Sequence, residues 1–271
     1  MTKLSEILLV TDMDGTLMTA KTGIPKKNLV AIERFINEGG NFAIATGRAI
    51  VSAQYYVNQL PPIGPSIVFN GGGIYDYTTH QIGDTHFLPP HAMEYVQEIY
   101  DRFPRTGIEV YIDRDIYIPR MNCITQQHLN NEFLKHIKVD GVPGLSGSCF
   151  KIMFGSEGDV MPEILDYAYH MQVEGVYFVQ TGPFYLEMLP AHVTKGTAMP
   201  KLAQLYGIPL ENVYAIGDYD NDVEMLKCVG HPVCPGDSRP EIKALCERQF
   251  CNCLDGAVAE LIEYLENTYE I

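Results

Sequence analysis

The stretch Leu8-Leu9-Val10-Thr11-Asp12-Met13-Asp14-Gly15-Thr16-Leu17 decides the fold of this chain. Residues 7–10 form a short continuous apolar run, which is typical of a strand covered on both faces of a parallel sheet. Asp12 and Asp14 follow at once, and Gly15 permits a turn that other residues resist. In open parallel sheets, sites form outside the carboxyl ends of the strands. We therefore predict a strand that ends in a loop with two carboxylates aimed at one point. Taken alone, the stretch could also be a plain polar loop after a strand.

The chain that follows alternates between strand and helix patterns. Apolar residues recur at helical spacing after Pro25, and Gly39-Gly40 ends that pattern. The predicted order is strand 7–10, helix from 25, strand 41–45, helix 49–59 and strand 66–69. Such alternation implies right-handed crossovers and a parallel sheet with helices on its faces. The fold class is therefore α/β, with a Rossmann-like parallel-sheet core.

The pattern changes after Asn70-Gly71-Gly72-Gly73. Residues 74–77 and 85–88 are predicted to form a hairpin. An α+β pattern follows, with helices predicted over 92–102 and near 126–135 among further strands. The strand–helix rhythm resumes with a helix capped by Thr194, a strand over 213–216, a weak edge strand over 231–233 and a terminal helix over 258–265. We therefore assign residues 1–87 and 188–271 to the α/β core, and 88–187 to an inserted α+β domain.

The composition argues against nucleic-acid and membrane partners. The net charge is 19 − 34 = −15, whereas phosphate backbones and anionic lipids are bound by clustered Lys and Arg. The amino-terminal residues lack a basic start and a long apolar run, so we predict a cytoplasmic protein. Seven cysteines, an odd number, do not resemble a disulfide framework. Four of them lie between Cys234 and Cys253 without the C-x₂-C pairs of zinc sites, so we interpret them as reduced thiols.

Chemically useful side chains follow four predicted strands at the point where each strand ends. These positions are Asp12 and Asp14, then Thr46 and Gly47, then Asn70 and Gly71, and finally Asp218, Asn221 and Asp222; Lys195 begins the helix before the fourth strand. Each has a plain structural alternative when it is taken alone. Thr46 and Gly47 could cap the next helix, Lys195 could be a surface lysine, and Arg48 could bind substrate or hold a carboxylate. The residues after Asp218 do not follow the spacing of a calcium-binding EF-hand loop.

Taken together, these groups indicate phosphoryl chemistry. Converging carboxylates repel one another unless a cation lies between them, and oxygen ligands suit Mg²⁺. A hydroxyl, backbone amides and one lysine suit a phosphate. One aspartate can then attack phosphorus as a nucleophile, while a second donates and accepts protons.

The same residues resemble the four motifs of the haloacid dehalogenase-like (HAD) hydrolases. Asp12-Met13-Asp14-Gly15-Thr16-Leu17 resembles the first motif, Thr46 the second, Lys195 the third, and Gly217-Asp218 through Asp222 the fourth. The segments Ala45-Thr46-Gly47-Arg48 and Phe69-Asn70-Gly71-Gly72 are similar to the Cof-type branch, subclass IIB. In that branch the inserted α+β domain is a cap that sets substrate specificity.

This resemblance implies a Mg²⁺-dependent phosphatase acting on sugar phosphates and similar small phosphorylated metabolites. It implies that Asp12 is the nucleophile and Asp14 the general acid and base. The remaining implied roles are metal binding by Asp12, Asp14 and Asp218, with Asp222 supporting them from behind, and phosphate binding by Met13, Thr46, Gly47, Lys195 and Asn221.

Two other functions stay open at this point. A phosphomutase would isomerise a sugar phosphate and release little free phosphate. A regulatory protein would bind a phosphorylated metabolite without turnover, although binding alone does not require the acid–base residue Asp14. Polar residues of the inserted domain could contact the substrate or could equally lie on the surface; they are Arg114, Asp115, Arg120, Asn122 and His128. The sequence does not identify the substrate or the oligomeric state.

Overall fold

A computed structural model describes residues 3–132 and 134–270 of the chain. The chain divides into two compact units. The first, called the core unit below, comprises Met1–Thr85 and Thr194–Ile271, and the second, called the cap unit, comprises His86–Val193. The boundaries expected from the sequence fall after residues 87 and 187. The second of these lies within a strand, Tyr185–Pro190, that pairs with two other cap strands, so the cap unit extends beyond it.

The strands are β1 (Leu8–Thr11), β2 (Asn41–Ile44), β3 (Pro65–Val68), β4 (Gly73–Asp76), β5 (Gln81–Gly83), β6 (Gly107–Ile112), β7 (Asp115–Arg120), β8 (Ile137–Lys138), β9 (Cys149–Gly155), β10 (Val176–Gly182), β11 (Tyr185–Pro190), β12 (Val213–Ile216), β13 (His231–Cys234) and β14 (Arg248–Gln249). The helices are α1 (Lys26–Asn37), α2 (Ile50–Val57), α3 (Ala92–Arg102), α4 (Cys123–Asn131), α5 (Met161–His170), α6 (Lys195–Tyr206), α7 (Val223–Cys228), α8 (Pro240–Lys243) and α9 (Ala257–Thr268).

The core unit contains a five-stranded parallel sheet with the order β14-β13-β12-β1-β2. Strand β1 lies between β12 and β2, and all four of its residues are buried. Since β1 is covered on both faces, its sequence is a continuous apolar run rather than an alternation. The predicted α/β fold with a parallel sheet is confirmed, and the carboxyl ends of β1, β2 and β12 meet at one edge.

Strand β3 follows β2 through the parallel bridge between Ala45 and Ile67, and it also pairs antiparallel with β4. Two predicted strand details are wrong. The hairpin partner of β4 is β5 rather than residues 85–88, because the Asp76 carboxylate accepts from the Thr78 and Thr79 amides and turns the chain early. Strand β13 is not an edge strand, because the short β14 pairs with it on the outer side.

The cap unit is built on one six-stranded sheet with the order β10-β11-β9-β6-β7-β8. Its main buried cluster lies between one face of this sheet and helices α3 and α5, and includes Val96, Ile108, Ile152, Ile164 and Met188. Helix α4 begins at Cys123 rather than at the predicted residue 126, because the Asn122 carboxamide caps it by accepting from the Thr125 amide at 2.8 Å. The predicted end of that helix includes position 133, which lies outside the described residues.

The seven cysteines are free thiols. Within residues 3–132 and 134–270, no helix is both long enough and apolar enough to span a membrane.

Candidate active site

Asp12 and Lys195 form a buried ion pair at the carboxyl end of β1. The Lys195 ammonium lies 2.5 Å from Asp12 Oδ1 and 2.7 Å from Asp222 Oδ1, and none of its side chain is exposed. Thr194 places this lysine by capping α6, since its hydroxyl accepts from the Thr197 amide. Burial alone would lower the pKa of Lys195, but the two carboxylates outweigh it and raise that pKa. The lysine therefore stays charged.

Three carboxylates converge beside this lysine. One oxygen from each of Asp12, Asp218 and Asp222 can be chosen so that all three lie within 4.8 Å of one another. Burial raises the pKa of Asp12 well above its ordinary value, and the neighbouring aspartates add to this against the opposing effect of Lys195. Burial likewise raises the pKa of Asp218 to about 6, although a hydrogen bond from Thr16 opposes the rise. Raised values of this kind mark a concentration of negative charge that a further cation would relieve.

Asp222 contributes to this group mainly by holding the others. Its Oδ1 accepts from Lys195, and its Oδ2 accepts from the backbone amides of Asp218 (2.9 Å) and Tyr219 (3.1 Å). Both of its oxygens are thus engaged, and the loop after β12 is fixed around it. Asp222 thus holds Lys195 and the backbone of the loop, and its support of the metal ligands stays a prediction.

Gly15 allows Asp218 to approach the loop after β1. The backbone at Gly15 has φ +90°, and a Cβ atom there would lie 2.4 Å from Asp218 Oδ2. A side chain at this position would therefore collide with the carboxylate and would also strain the backbone. The Thr16 hydroxyl fixes the other oxygen by donating to Asp218 Oδ1 at 2.6 Å. The sequence did not indicate a site role for Thr16. Its hydrogen bond to Asp218, on the loop after β12, brings it into the site.

The donor set fits a magnesium ion. Asp12 and Asp218 offer hard carboxylate oxygens at the sheet edge, without nearby sulfur or imidazole ligands in the same group. Among the described residues, the group of carboxylates that could hold a metal does not include Asp14, although the sequence predicts Asp14 as a metal ligand.

Asp14 is held instead by Arg48. Arg48 Nε donates to Asp14 Oδ2 at 2.7 Å, and Nη2 donates to Oδ1 at 2.8 Å, in a two-bond ion pair. The guanidinium also donates to Ser52 Oγ at 2.8 Å and lies over the Tyr56 ring at 5.1 Å. Sequence reasoning left the role of Arg48 open between substrate binding and holding a carboxylate, and the structure shows the second. The Asp14 side chain remains 46% exposed, whereas Asp12 is buried.

The predicted phosphate-binding residues border the same edge. Thr46 is buried, and its Oγ1 accepts from the Arg48 amide at 3.1 Å. Met13 points into the interior, so only its main chain is available to a ligand. Asn221, which directly precedes Asp222 in the loop after β12, donates from Nδ2 to Asn70 Oδ1 at 3.1 Å. The structure thus places these residues on adjoining loops, while their roles remain predictions.

The cap unit carries a second polar cluster, of which the sequence had indicated His128 but not Glu109, Lys151 or Glu187. Lys151 and Glu187 form a buried ion pair at 2.9 Å on neighbouring strands. Glu109 is 1% exposed and contacts the His128 ring nitrogen at 3.0 Å. One signal in the sequence could have revealed Glu109, Lys151 and Glu187: each is a charged residue within an otherwise mainly apolar strand, β6, β9 or β11. Asn122, a candidate polar residue from the sequence, has the structural role of capping α4.

The fold and the site together define a class of hydrolase. Two aspartates follow β1 of a parallel sheet, a lysine begins α6, and an acidic loop follows β12. Residues 9–262 match the family model of the haloacid dehalogenase-like hydrolases, and the chain belongs to that family. The resemblance drawn from the motifs is thereby confirmed.

The chain is similar to named proteins of this family. The chain is 25% identical over 265 residues to the 5-amino-6-(5-phospho-D-ribitylamino)uracil phosphatase YitU of Bacillus subtilis, covering 95% of this chain and 97% of the relative. It is 26% identical to the HMP-PP phosphatase of Serratia proteamaculans, covering 93% of each chain. In structure it is similar to a haloacid dehalogenase-like hydrolase from Bacteroides thetaiotaomicron, with a TM-score of 0.85 and 22% identity over 96% of this chain and 99% of the other. The chain is thus an enzyme, a haloacid dehalogenase-like hydrolase, and these named relatives are phosphatases.

Proposed function

We propose that this enzyme is a Mg²⁺-dependent phosphatase that hydrolyses small phosphomonoesters through an aspartyl-phosphate intermediate. The observation that carries the proposal is the different surroundings of the two aspartates after β1. Asp12 is buried against Lys195 beside the acidic group, whereas Asp14 is half-exposed and held by Arg48. Two carboxylates with such different environments suit two different roles, nucleophile and acid–base.

In the first step, an Asp12 oxygen forms a bond to phosphorus while the ester oxygen leaves and takes a proton from Asp14. In the second step, water attacks the same phosphorus atom, Asp14 accepts its proton, and the bond between Asp12 and phosphorus breaks. Phosphate is released, and both aspartates return to their starting states. Asp14 can serve in both steps because it gives one proton and then takes one back.

Positive charge is needed because Asp12 and the phosphoryl group are both anionic. Lys195, whose raised pKa keeps it protonated, lies directly against Asp12 and offsets part of the repulsion. Mg²⁺, which Asp12 and Asp218 would hold, supplies further positive charge to the phosphoryl oxygens. Thr46, Gly47 and Asn221 would orient the phosphate by hydrogen bonds.

The substrate class is a small phosphorylated metabolite, with sugar phosphates as the first candidates. The name of the Bacillus relative specifies a phosphate on a ribityl chain, which supports a polyhydroxylated leaving group. Selection among such esters is assigned to the cap unit, whose buried Lys151, Glu187 and Glu109 offer charged and polar groups. A ranking of phosphorylated metabolites by kcat/KM, before and after substitution of these residues, tests that assignment.

The test of the mechanism is phosphate release from p-nitrophenyl phosphate with and without Mg²⁺. We expect activity in the wild type, its loss after chelation with recovery on adding Mg²⁺, and near-complete loss in Asp12→Asn. Asp166→Asn, an exposed aspartate of α5, is the matched control and should keep wild-type activity. An Asp12→Asn variant with most of its activity would refute the nucleophile assignment.

The same preparation separates the alternatives. Isomerised hexose phosphate with little free phosphate would indicate a phosphomutase. Tight metabolite binding without turnover of any phosphoester would indicate a regulatory protein.

A further inference from the structure

The turn formed by Phe69, Asn70 and Gly71, called the 69–71 turn below, has an unfavourable backbone. Phe69 has φ 53° and Asn70 has φ 56°, so two successive residues with side chains adopt the left-handed region. This costs roughly 1–2 kcal/mol for a residue such as phenylalanine. Such a conformation persists only where its surroundings hold it, and it is found most often at functional sites.

Two neighbouring segments hold the turn through main-chain contacts. The Phe69 amide donates to the Arg48 carbonyl at 3.0 Å, and the Asn70 amide donates to the Thr46 carbonyl at 2.9 Å. On the other side, a Cβ atom on Gly71 would lie 2.2 Å from the Thr194 carbonyl oxygen, so the turn is pressed against the start of α6. The turn therefore contacts both the loop after β2 and the residue that precedes Lys195.

The Asn70 side chain adds a third connection. It is 5% exposed, and its Oδ1 accepts from Asn221 Nδ2 at 3.1 Å. Its carboxamide also fills the space beside Gly47, where a Cβ atom would lie 2.8 Å from both the Asn70 oxygen and nitrogen. One buried carboxamide thus lies between the loop after β2 and the loop after β12.

We propose that Asn70 is a positioning residue that orients the Asn221 carboxamide and the Gly47 main chain for the phosphate group of the substrate. This inference rests on the proposed function, in which Asn221 and Gly47 bind that phosphate. Asn221 is otherwise exposed, and an unrestrained side chain would lose rotamer freedom when the ligand binds. Its bond to Asn70 uses one of two amide hydrogens and leaves the other for a phosphate oxygen.

The test is a double-mutant cycle with Asn70→Gly and Asn221→Ala. Glycine adopts the left-handed region readily, so Asn70→Gly removes the carboxamide without adding backbone strain. The exposed Gln172, which has φ 46°, gives the matched control. Gln172→Gly likewise replaces a carboxamide side chain with glycine at a left-handed backbone position. The readouts are the Kd of inorganic phosphate with Mg²⁺ by calorimetry, and kcat and KM for p-nitrophenyl phosphate.

We expect each single variant to weaken phosphate binding about tenfold, with the loss in KM rather than kcat, and the double variant to lose clearly less than the product of the two single losses. Gln172→Gly should bind phosphate like the wild type. Losses that multiply in the double variant would overturn the inference, as would an Asn70→Gly effect on kcat or thermal stability alone.

The outcomes also separate this inference from the proposed function. Turnover by the wild type with multiplicative losses overturns the inference and leaves the proposed function standing. If the protein shows no turnover but the losses of phosphate binding are coupled, the inference stands and the proposed function is overturned. A wild-type protein that binds no inorganic phosphate overturns the inference as well.

Discussion

The ion pair between Arg48 and Asp14 gives the sharpest test of the acid–base assignment. Arg48 makes two bonds to the carboxylate, at 2.7 and 2.8 Å, and a third to Ser52. Arg48→Lys keeps the positive charge but replaces a planar fork with a single ammonium group. The substitution therefore loosens Asp14 without removing the charge beside it, and changes its orientation more than its electrostatics.

The size of the effect follows from the bonds that are lost. A hydrogen bond to a charged group contributes about 1.5–3 kcal/mol, and the lysine variant loses at least one. The Asp14 side chain is 46% exposed, so solvent screens the pair and the lower end of that range applies. A loss of about 1.5 kcal/mol corresponds to roughly a tenfold fall in kcat for a reaction that depends on Asp14.

The assay compares two leaving groups. An alkoxide is a poor leaving group and needs a proton from Asp14, whereas p-nitrophenolate leaves without one. We expect Arg48→Lys to lower kcat about tenfold for an alkyl phosphate and by a much smaller factor for p-nitrophenyl phosphate. KM should change little for either ester, since Arg48 is assigned no contact with the phosphate.

Ser52→Ala provides the control. It removes the third bond of the guanidinium but leaves both bonds to Asp14, so it should retain most of the activity on both esters. Equal losses on the alkyl and aryl esters in Arg48→Lys would refute the reasoning, because the variant would then act on something other than proton transfer.

Three further predictions concern residues around the site and in the cap. Gly15→Ala should abolish Mg²⁺-dependent activity, because the added Cβ would lie 2.4 Å from the Asp218 carboxylate; Mg²⁺ titration by calorimetry checks this, and unchanged affinity would contradict it. Lys195→Met should lower the free energy of unfolding in chelator by about 3–5 kcal/mol, since two buried carboxylates lose their cation; urea denaturation measures it, and a loss below about 1 kcal/mol would contradict it. Burial lowers the pKa of His128, but Glu109 and a neighbouring glutamate outweigh it and raise the pKa to about 9. The ion pair should therefore stabilise the protein fully below about pH 6.5 and cease to do so as the pH rises through 9, a change of at most about 3 kcal/mol that His128→Gln should lack. Parallel pH profiles of stability for the two proteins would show that reasoning to be wrong.

Local sequence patterns were sufficient for most of the fold. The strand over 213–216 and the helix over 92–102 lie where the apolar spacing predicts them, because burial on both faces of a strand and on one face of a helix leaves a readable period. The predicted hairpin partner of β4 failed because a side-chain carboxylate at Asp76 turned the chain within a few residues. A side-chain carboxylate and a neighbouring strand compete for the same backbone amides. Local geometry decides between them, and the spacing of apolar residues carries no information about it.

The sequence by itself determined the class of chemistry. Asp12, Asp14, Lys195 and Asp218 follow predicted strand ends or begin a helix, and parallel strands bring such positions to one edge. The residue types then predict a cation and a phosphate as the ligands.

Only the tertiary structure decided which of those residues contact one another. Arg48 could have bound substrate or a carboxylate, and its two bonds to Asp14 settle the matter at the level of contacts. The link between Asn70 and Asn221 joins residues 151 positions apart, and its 3.1 Å distance depends on a strained turn. Charge and spacing along the chain identify which groups are present, but burial raises the pKa of Asp12 and Asp218, and the Asp14 side chain is left 46% exposed. The physical reason is that desolvation and hydrogen bonding act over a few ångströms in space, and these distances exist only after the sheet edge has assembled.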